Sequence, residues 1–323
     1  MTAEDDSVDR LRPSPEDRSV GELLRFGVMN LDKPPGPSAH QVTGWVRDMI
    51  TQTLDAREQA PIDGAAHAGT LDPKVTGCLP ILTGTATRAA RVFRRSQKEY
   101  IAVLELHARV PADFEDVVEE FESELYQKPP RKSAVVRKLR TRQIHQLDIL
   151  EQERRQALLR IRCEAGTYVR KLCHDLGLAL GTGAHMGHLR RSGTGRFDDT
   201  DLITLQDLSD ALAWADGGDE SVLRDVVVPA ERALEPLPSV TIAANAARQV
   251  AEGAPVYAPG VIDVEGVPGG GGGDDGDEAG GQTDEGPLVA CYTPNGAAVA
   301  LGQYVGDADA DRGTVVSLER VLV

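Results

Sequence analysis

One carboxylate in this chain sits on a backbone built to present it. Asp72 lies within His67-Ala68-Gly69-Thr70-Leu71-Asp72-Pro73-Lys74-Val75-Thr76-Gly77-Cys78-Leu79-Pro80-Ile81. The following proline clashes with a helical conformation at Asp72, so the acid belongs to an extended segment or a turn. Gly69 and Gly77 bracket it and permit tight turns or close approach of another backbone. The apolar residues Val75, Cys78, Leu79, Ile81 and Leu82 then anchor the loop on a buried segment. A carboxylate so placed can close a turn, cap a helix or stabilise positive charge on a reacting carbon, and spacing alone does not choose.

Other side chains with chemical potential are spread along the chain. Tyr100 ends Lys98-Glu99-Tyr100 and opens a strand to Leu106, where tyrosine ordinarily serves packing. Arg170 follows Glu164-Ala165-Gly166-Thr167-Tyr168-Val169. Thr167 is expected to cap a helix that turns Val169, Leu172, Leu176 and Leu180 inward. A cation in the first turn of that helix opposes its dipole, and pairing with Asp72 would supply the reason. Leu189 lies in Gly187-His188-Leu189-Arg190-Arg191 and reads as core when taken alone. From Gln127 to Arg142 runs a basic stripe with Lys128, Arg131 and Lys132 after or beside Pro129-Pro130, read as an exposed, anion-binding loop.

The elements that would position these groups alternate in type. Residues 1 to 24, charged and Pro-containing, read as a disordered tail. Phe26 to Leu31 reads as a strand, Asp32 to Pro37 as a rigid turn, and Ser38 as the cap of a helix from Ala39 to Thr51. A short helix ends near Phe93, a second covers Asp113 to Leu125, and Ala157 to Cys163 alternates as a strand. Leu202 to Trp214 and Ile242 to Glu252 read as helices. Leu288 to Tyr292, Ala298 to Tyr304 and Val315 to Val321 read as strands, and Gly269 to Gly286 as a disordered Gly/Asp/Glu loop.

Composition narrows the class. At 323 residues with 41% hydrophobic content, the chain has room for two domains and no apolar run long enough to span a membrane. Cys78, Cys163, Cys173 and Cys291 lack metal-ligand or disulfide-framework spacing, so free thiols in a reducing cytoplasm are expected. No H-E-x-x-H or phosphate-binding glycine motif occurs, and neither metal nor cofactor is expected. The net charge is −16, with 28 arginines against seven lysines. That sum argues against a nucleic-acid partner, but its distribution does not: Tyr126 to Lys171 holds thirteen Lys/Arg against four acids. An acidic, lysine-poor surface around one basic stripe fits a protein adapted to high salt; an ordinary acidic protein with one anion-binding face is the rival reading.

The Asp72 string resembles the catalytic motif of the TruB/dyskerin family of pseudouridine synthases. Lys33-Pro34-Pro35-Gly36, Lys98-Glu99-Tyr100, the stretch around Arg170 and the stretch around Leu189 resemble that family's other motifs in the same order. The wording Val75-Thr76-Gly77-Cys78-Leu79-Pro80 and the tail from Pro255 to Val261, which resembles a PUA domain's signature turn, look most like the archaeal and eukaryotic dyskerin branch. The resemblance implies an α+β fold: a mixed, largely antiparallel sheet in a catalytic domain over 25–236, and a small β-rich PUA domain over 237–323. It implies Asp72 as nucleophile, with Tyr100 and Arg170 catalytic. Tyr168, Leu189, His67, Lys33, Lys128, Arg131 and Lys132 join them around the substrate, Lys33 by buttressing the Asp72 loop.

Isomerising uridine breaks the C1′–N1 bond, turns the uracil and rejoins it through C5, with nothing added or lost. A single carboxylate without a second acid or a metal suits that better than hydrolysis. The resemblance implies RNA partners: tRNA, including uridine-55, and rRNA through an H/ACA guide RNA with small partner proteins. A stand-alone tRNA enzyme of the bacterial TruB type and a non-catalytic RNA-binding scaffold are the alternatives. A metal-dependent hydrolase is disfavoured for want of ligands.

Overall fold

Apolar runs broken by Gly and Pro become two sheets in the computed structural model, which describes residues 11–94, 96–129, 136, 138–268 and 286–323. The first sheet has ten strands: β1 Gly27–Lys33, β2 Ala65–His67, β3 Thr76–Thr83, β4 Lys98–Leu106, β5 Glu124–Gln127, β6 Arg140–Gln152, β7 Gln156–Cys163, β8 Ala184–Thr194, β9 Phe197–Asp198 and β10 Val228–Pro229. Their order is β10-β1-β3-β8-β4-β7-β6-β5, with β2 on β3 and β9 on β8. The helices are α1 Val20–Arg25, α2 Ala39–Ala56, α3 Phe114–Glu120, α4 Val169–Ala179, α5 Leu205–Asp216 and α6 Ser221–Val226. The fold is α+β, and the sheet is mixed and largely antiparallel.

The joint between β3 and β8 is parallel, Gly77 opposite Arg191, while the other pairings of this sheet are antiparallel among the described residues. It divides two cores. On one side Leu31, Leu79 and Ile81 pack with Val42, Val46 and Ile50 of α2 and Leu208 of α5. On the other, Ala102, Leu104, Leu159 and Ile161 pack with Leu172 and Leu176 of α4. Tyr100 and Leu189 lie against both cores, at the seam. Helix α2 starts where Ser38 and Gln41 form a reciprocal capping box, and it runs five residues past the predicted end.

The second sheet comprises β11 Ser239–Ile242, β12 Val256–Tyr257, β13 Val261–Glu265, β14 Leu288–Tyr292, β15 Ala298–Tyr304 and β16 Thr314–Val321, with α7 Ala244–Ala251 packed on it. Its order is β12-β16-β15-β14-β11-β13. Ile242 ends a strand rather than beginning a helix, and α5 begins at Leu205 behind its Thr204 cap rather than at Leu202. The Gly/Asp-rich segment falls on residues 269–285, outside the described residues.

The reading of 1–24 as a disordered tail is corrected from residue 11 onward. Arg18 is 1% exposed and makes two bonds to Glu231, at 2.6 and 2.8 Å, while Glu231 also accepts from the Ala298 amide at 3.0 Å. Arg12 lies over the Phe26 ring at 3.6 Å and donates to Thr85 Oγ1 at 2.7 Å, Ala298 O at 3.1 Å and the Leu322 carbonyl. The segment therefore straps the second sheet to the first. Charge density misled because these cations are spent inside, each on named acceptors. Burial, reinforced by Arg18, lowers the Arg12 guanidinium to about 10.

Removing one member of a buried pair strands the other charge. Arg18→Met is expected to cost about 3–5 kcal/mol in urea unfolding, and Arg18→Met with Glu231→Leu to recover most of it. A single-variant loss below about 1 kcal/mol would exclude the strap as a stabilising element.

Candidate active site

Asp72 begins the turn that carries Pro73 and Lys74, closed by the Val75 amide donating to the Asp72 carbonyl at 2.9 Å. The loop around it is held from below by two buried cations. Lys33, fully buried at the end of β1, donates to Pro34 O at 2.9 Å, Pro73 O at 3.0 Å and Val75 O at 2.8 Å. All three of its N–H bonds are thus spent on backbone. Buried and saturated, Lys33 buttresses the loop from beneath rather than reaching outward. Burial lowers its ammonium pKa and the Asp72 charge partly restores it.

The second cation is Arg191 on β8, 1% exposed. Its Nε donates to Cys78 O at 2.7 Å and its Nη2 to Gly69 O at 3.3 Å, one contact on each limb of the loop. Gly77 is required here: its φ is +96°, and a Cβ would stand 2.3 Å from the Arg191 carbonyl oxygen. The neighbouring Arg190 forms a fork with Asp32 at 2.9 and 3.0 Å, joining the end of β1 to β8.

Across from this loop, α4 presents Arg170, whose Nη2 bonds Asp72 Oδ2 across 98 positions of sequence. The two side chains remain about half exposed, at 52% and 54%. The cation opposed to the helix dipole has the partner the sequence proposed for it. Thr167 does not cap the helix, as its hydroxyl donates back to Glu164 O at 2.7 Å. The cap is Tyr168, whose side chain does not make the cap bond. Gln127, 2% exposed at the end of β5, replaces that bond by accepting from the Tyr168 amide at 2.8 Å and donating to its carbonyl at 3.4 Å.

The remaining predicted residues fall in three groups. Tyr100 of β4 is opposite Arg191 of β8, with Leu189 diagonally adjacent on the same face, and both line the seam. Burial raises the Tyr100 phenol pKa, while the Arg191 charge pulls the other way. His67 ends β2, half-buried, its pKa lowered by burial and then by Arg191 and His40. Lys128 is exposed just beyond β5, and Arg131 and Lys132 lie outside the described residues. Among the described residues, no group of three His, Cys, Asp or Glu side chains converges on a metal position.

Sequence reasoning missed Arg191 and Gln127. The signal for Arg191 was present: adjacent arginines on a strand must face opposite ways, so one of Arg190 and Arg191 points inward. Nothing marked Gln127.

Lys98, also buried, gives a pH dependence that can be measured. Its ammonium donates to Phe93 O, Ser96 O and Ser96 Oγ at 2.8, 2.8 and 3.0 Å, and burial followed by Arg191 brings its pKa down to about 8. The unfolded lysine keeps its proton to about 10.4. Between those values the unfolded chain holds more protons, so this group's contribution to stability rises with pH. Wild type is therefore expected to gain on Lys98→Met, by up to about 3 kcal/mol, as denaturation is moved from pH 7.5 to pH 10. A pH-independent difference between the two proteins would contradict the shift.

Comparisons with known proteins identify the family. Residues 57–113 match the TruB family pseudouridylate synthase N-terminal domain, 170–235 the tRNA pseudouridylate synthase B C-terminal domain, and 12–43 the DKCLD domain. The chain is 58% identical over 321 residues to the probable tRNA pseudouridine synthase B of Halobacterium salinarum, covering 97% of this chain and 99% of that one. It is 59% identical over 314 residues to the protein of the same name from Haloarcula marismortui, covering 97% and 94%. Among solved structures it matches a Cbf5-Nop10-Gar1 complex with a TM-score of 0.83 at 39% identity, over 97% of this chain and 90% of that one. An H/ACA RNP bound to a substrate RNA containing 2′-deoxyuridine matches with a TM-score of 0.81 at 38% identity, over the same shares. The chain belongs to the TruB/dyskerin family of pseudouridine synthases, isomerases that convert uridine in RNA to pseudouridine.

Proposed function

We propose that Asp72 is the nucleophile or charge-stabilising carboxylate of this isomerisation, and that Arg170 and Tyr100 act with it. The observation that carries the reading is the Asp72–Arg170 pair at the open edge of a seam lined by Tyr100 and Leu189. Arg170 holds Oδ2 and leaves Oδ1 for the sugar. As C1′–N1 breaks, positive charge grows on the sugar and a fixed carboxylate stabilises it or bonds to C1′. RNA laid over the half-exposed pair excludes water, which strengthens that interaction. Extruding a uridine from folded RNA costs a few kcal/mol, offset by stacking on Tyr100 and packing against Leu189. Tyr168 and His67 frame the pocket in this reading, and the cations Lys128, Arg131 and Lys132 are assigned to RNA phosphates.

Residues 25–236 form the catalytic domain in this reading, and 237–323 a PUA-type RNA-binding domain fixed to it by the Arg12–Arg18 strap. The substrates are tRNA, as the relatives' names suggest, and guide-directed RNA in a particle with small partner proteins of the Nop10 and Gar1 kind. The acidic, lysine-poor composition suits a cytoplasm of high salt, like that of the halobacterial relatives.

Asp72→Asn should retain RNA affinity within about threefold and lose at least about a thousandfold in tritium release from 5-tritiated uridine RNA, as expected where the nucleophile itself is removed. Full activity in that variant would sink the assignment. Mapping pseudouridines made by wild type on tRNA, with and without guide RNA and partner proteins, separates the two substrate classes.

A further inference from the structure

Arg191 is unusual among the buried cations because it bonds the loop that carries Asp72 and also stands opposite the tyrosine of the seam, across β4 and β8. Its Nε and Nη2 bond Cys78 O and Gly69 O, and no carboxylate pairs with it among the described residues. A buried cation balanced only by carbonyls keeps its field for whatever charge arises beside it. The groups that act on the phenol are Arg191 from β8, Cys163 from β7 and Asp72 from the loop. Lys98 and His67 also feel the Arg191 charge and add positive charge or none.

We propose that Arg191 is a positioning residue for the isomerisation, one that fixes the Tyr100 hydroxyl as a proton relay between N1 and C5 of the uracil. The proposal rests on the reading of Tyr100 given above. A buried cation opposite the phenol favours its anionic form, so the phenol's proton can be given up to the cleft. The reaction requires such a relay, since uridine has no proton on N1 and one on C5, whereas the product has one on N1 and none on C5. As the C1′–N1 bond breaks, its electron pair goes to the ring and the phenol proton passes to N1, leaving a phenolate against Arg191. After C5 bonds C1′, the C5–H bond breaks, its electron pair restores the C5–C6 double bond, and the proton returns to the phenolate. Atoms and charge balance with no further reactant. The fixed cation is what makes the transient phenolate tolerable in a site where burial alone would raise the phenol further.

The test uses the full chain with saturating 5-protio or 5-deuterio uridine RNA, in single turnovers from pH 6 to pH 10. Arg191→Gln should lower the rate about a hundredfold with RNA affinity unchanged, move the alkaline limb to higher pH, and enlarge the deuterium effect at C5. Arg191→Lys, which keeps the charge, should stay within about tenfold of wild type. Against Tyr100→Phe, the added Arg191→Gln should cost less than about tenfold, the share that comes from its bonds to the Asp72 loop, since residues acting as a unit are not additive. Equal losses in the two backgrounds, with an unchanged isotope effect, would mean that Arg191 serves packing alone and would overturn the proposal. Should Arg191→Gln not fold, wild type against Tyr100→Phe decides: an alkaline limb and a C5 deuterium effect left unchanged by Tyr100→Phe overturn the proposal. A Tyr100→Phe protein at full rate removes the relay and the site reading beneath it; a slow Tyr100→Phe with additive losses removes the Arg191 proposal alone.

Discussion

Two buried cations beneath a short loop organise the catalytic face. Lys33 and Arg191 carry full charges into the interior and are met almost entirely by backbone carbonyls from Gly69, Pro73, Val75 and Cys78. Charge-assisted bonds of this kind are worth about 1.5–3 kcal/mol each, enough to hold a loop that has little apolar surface of its own. The arrangement also dictates sequence nearby. Gly77 must be glycine because the backbone of Arg191 lies against it, and β3 must meet β8 in parallel for that approach to occur.

That parallel joint explains why the site is a seam. Each half of the sheet buries its own core, and the two half-buried residues shared between the cores are those at which a flat ring could enter. Salt acts unequally on this design. At molar ionic strength the Debye length falls to about 3 Å, so exposed charges hardly feel each other, while Lys33, Arg191 and the Arg18–Glu231 pair lie beyond the reach of mobile ions. Asp72 and Arg170 lie between those extremes, half exposed.

Local patterns in the sequence carried far where side chain and backbone demanded the same thing. The capping box at Ser38, the alternation of β7 and the strands of the second sheet are set by neighbours a few residues away. Even the Asp72–Arg170 contact was legible, because a cation in the first turn of a helix needs compensation from elsewhere. What stayed hidden is non-local. Arg12 and Arg18 look like solvated charges until Glu231 and the carbonyls of Ala298 and Leu322 fold onto them. Gln127 has no local signature because its partner, the backbone of Tyr168, lies 41 positions away. Thr167 failed as a cap because its hydroxyl found a nearer acceptor in Glu164 O.

The central claim is that the extruded base enters the seam with its sugar beside Asp72. A crystal structure of this protein with an RNA stem-loop carrying 5-fluorouridine tests it most directly. The account predicts the fluorinated ring between Tyr100 and Leu189, with C1′ facing the free oxygen of Asp72 and the Tyr100 hydroxyl on the side of Arg191. A ring lodged elsewhere, with the seam closed and Asp72 remote from the sugar, would contradict it.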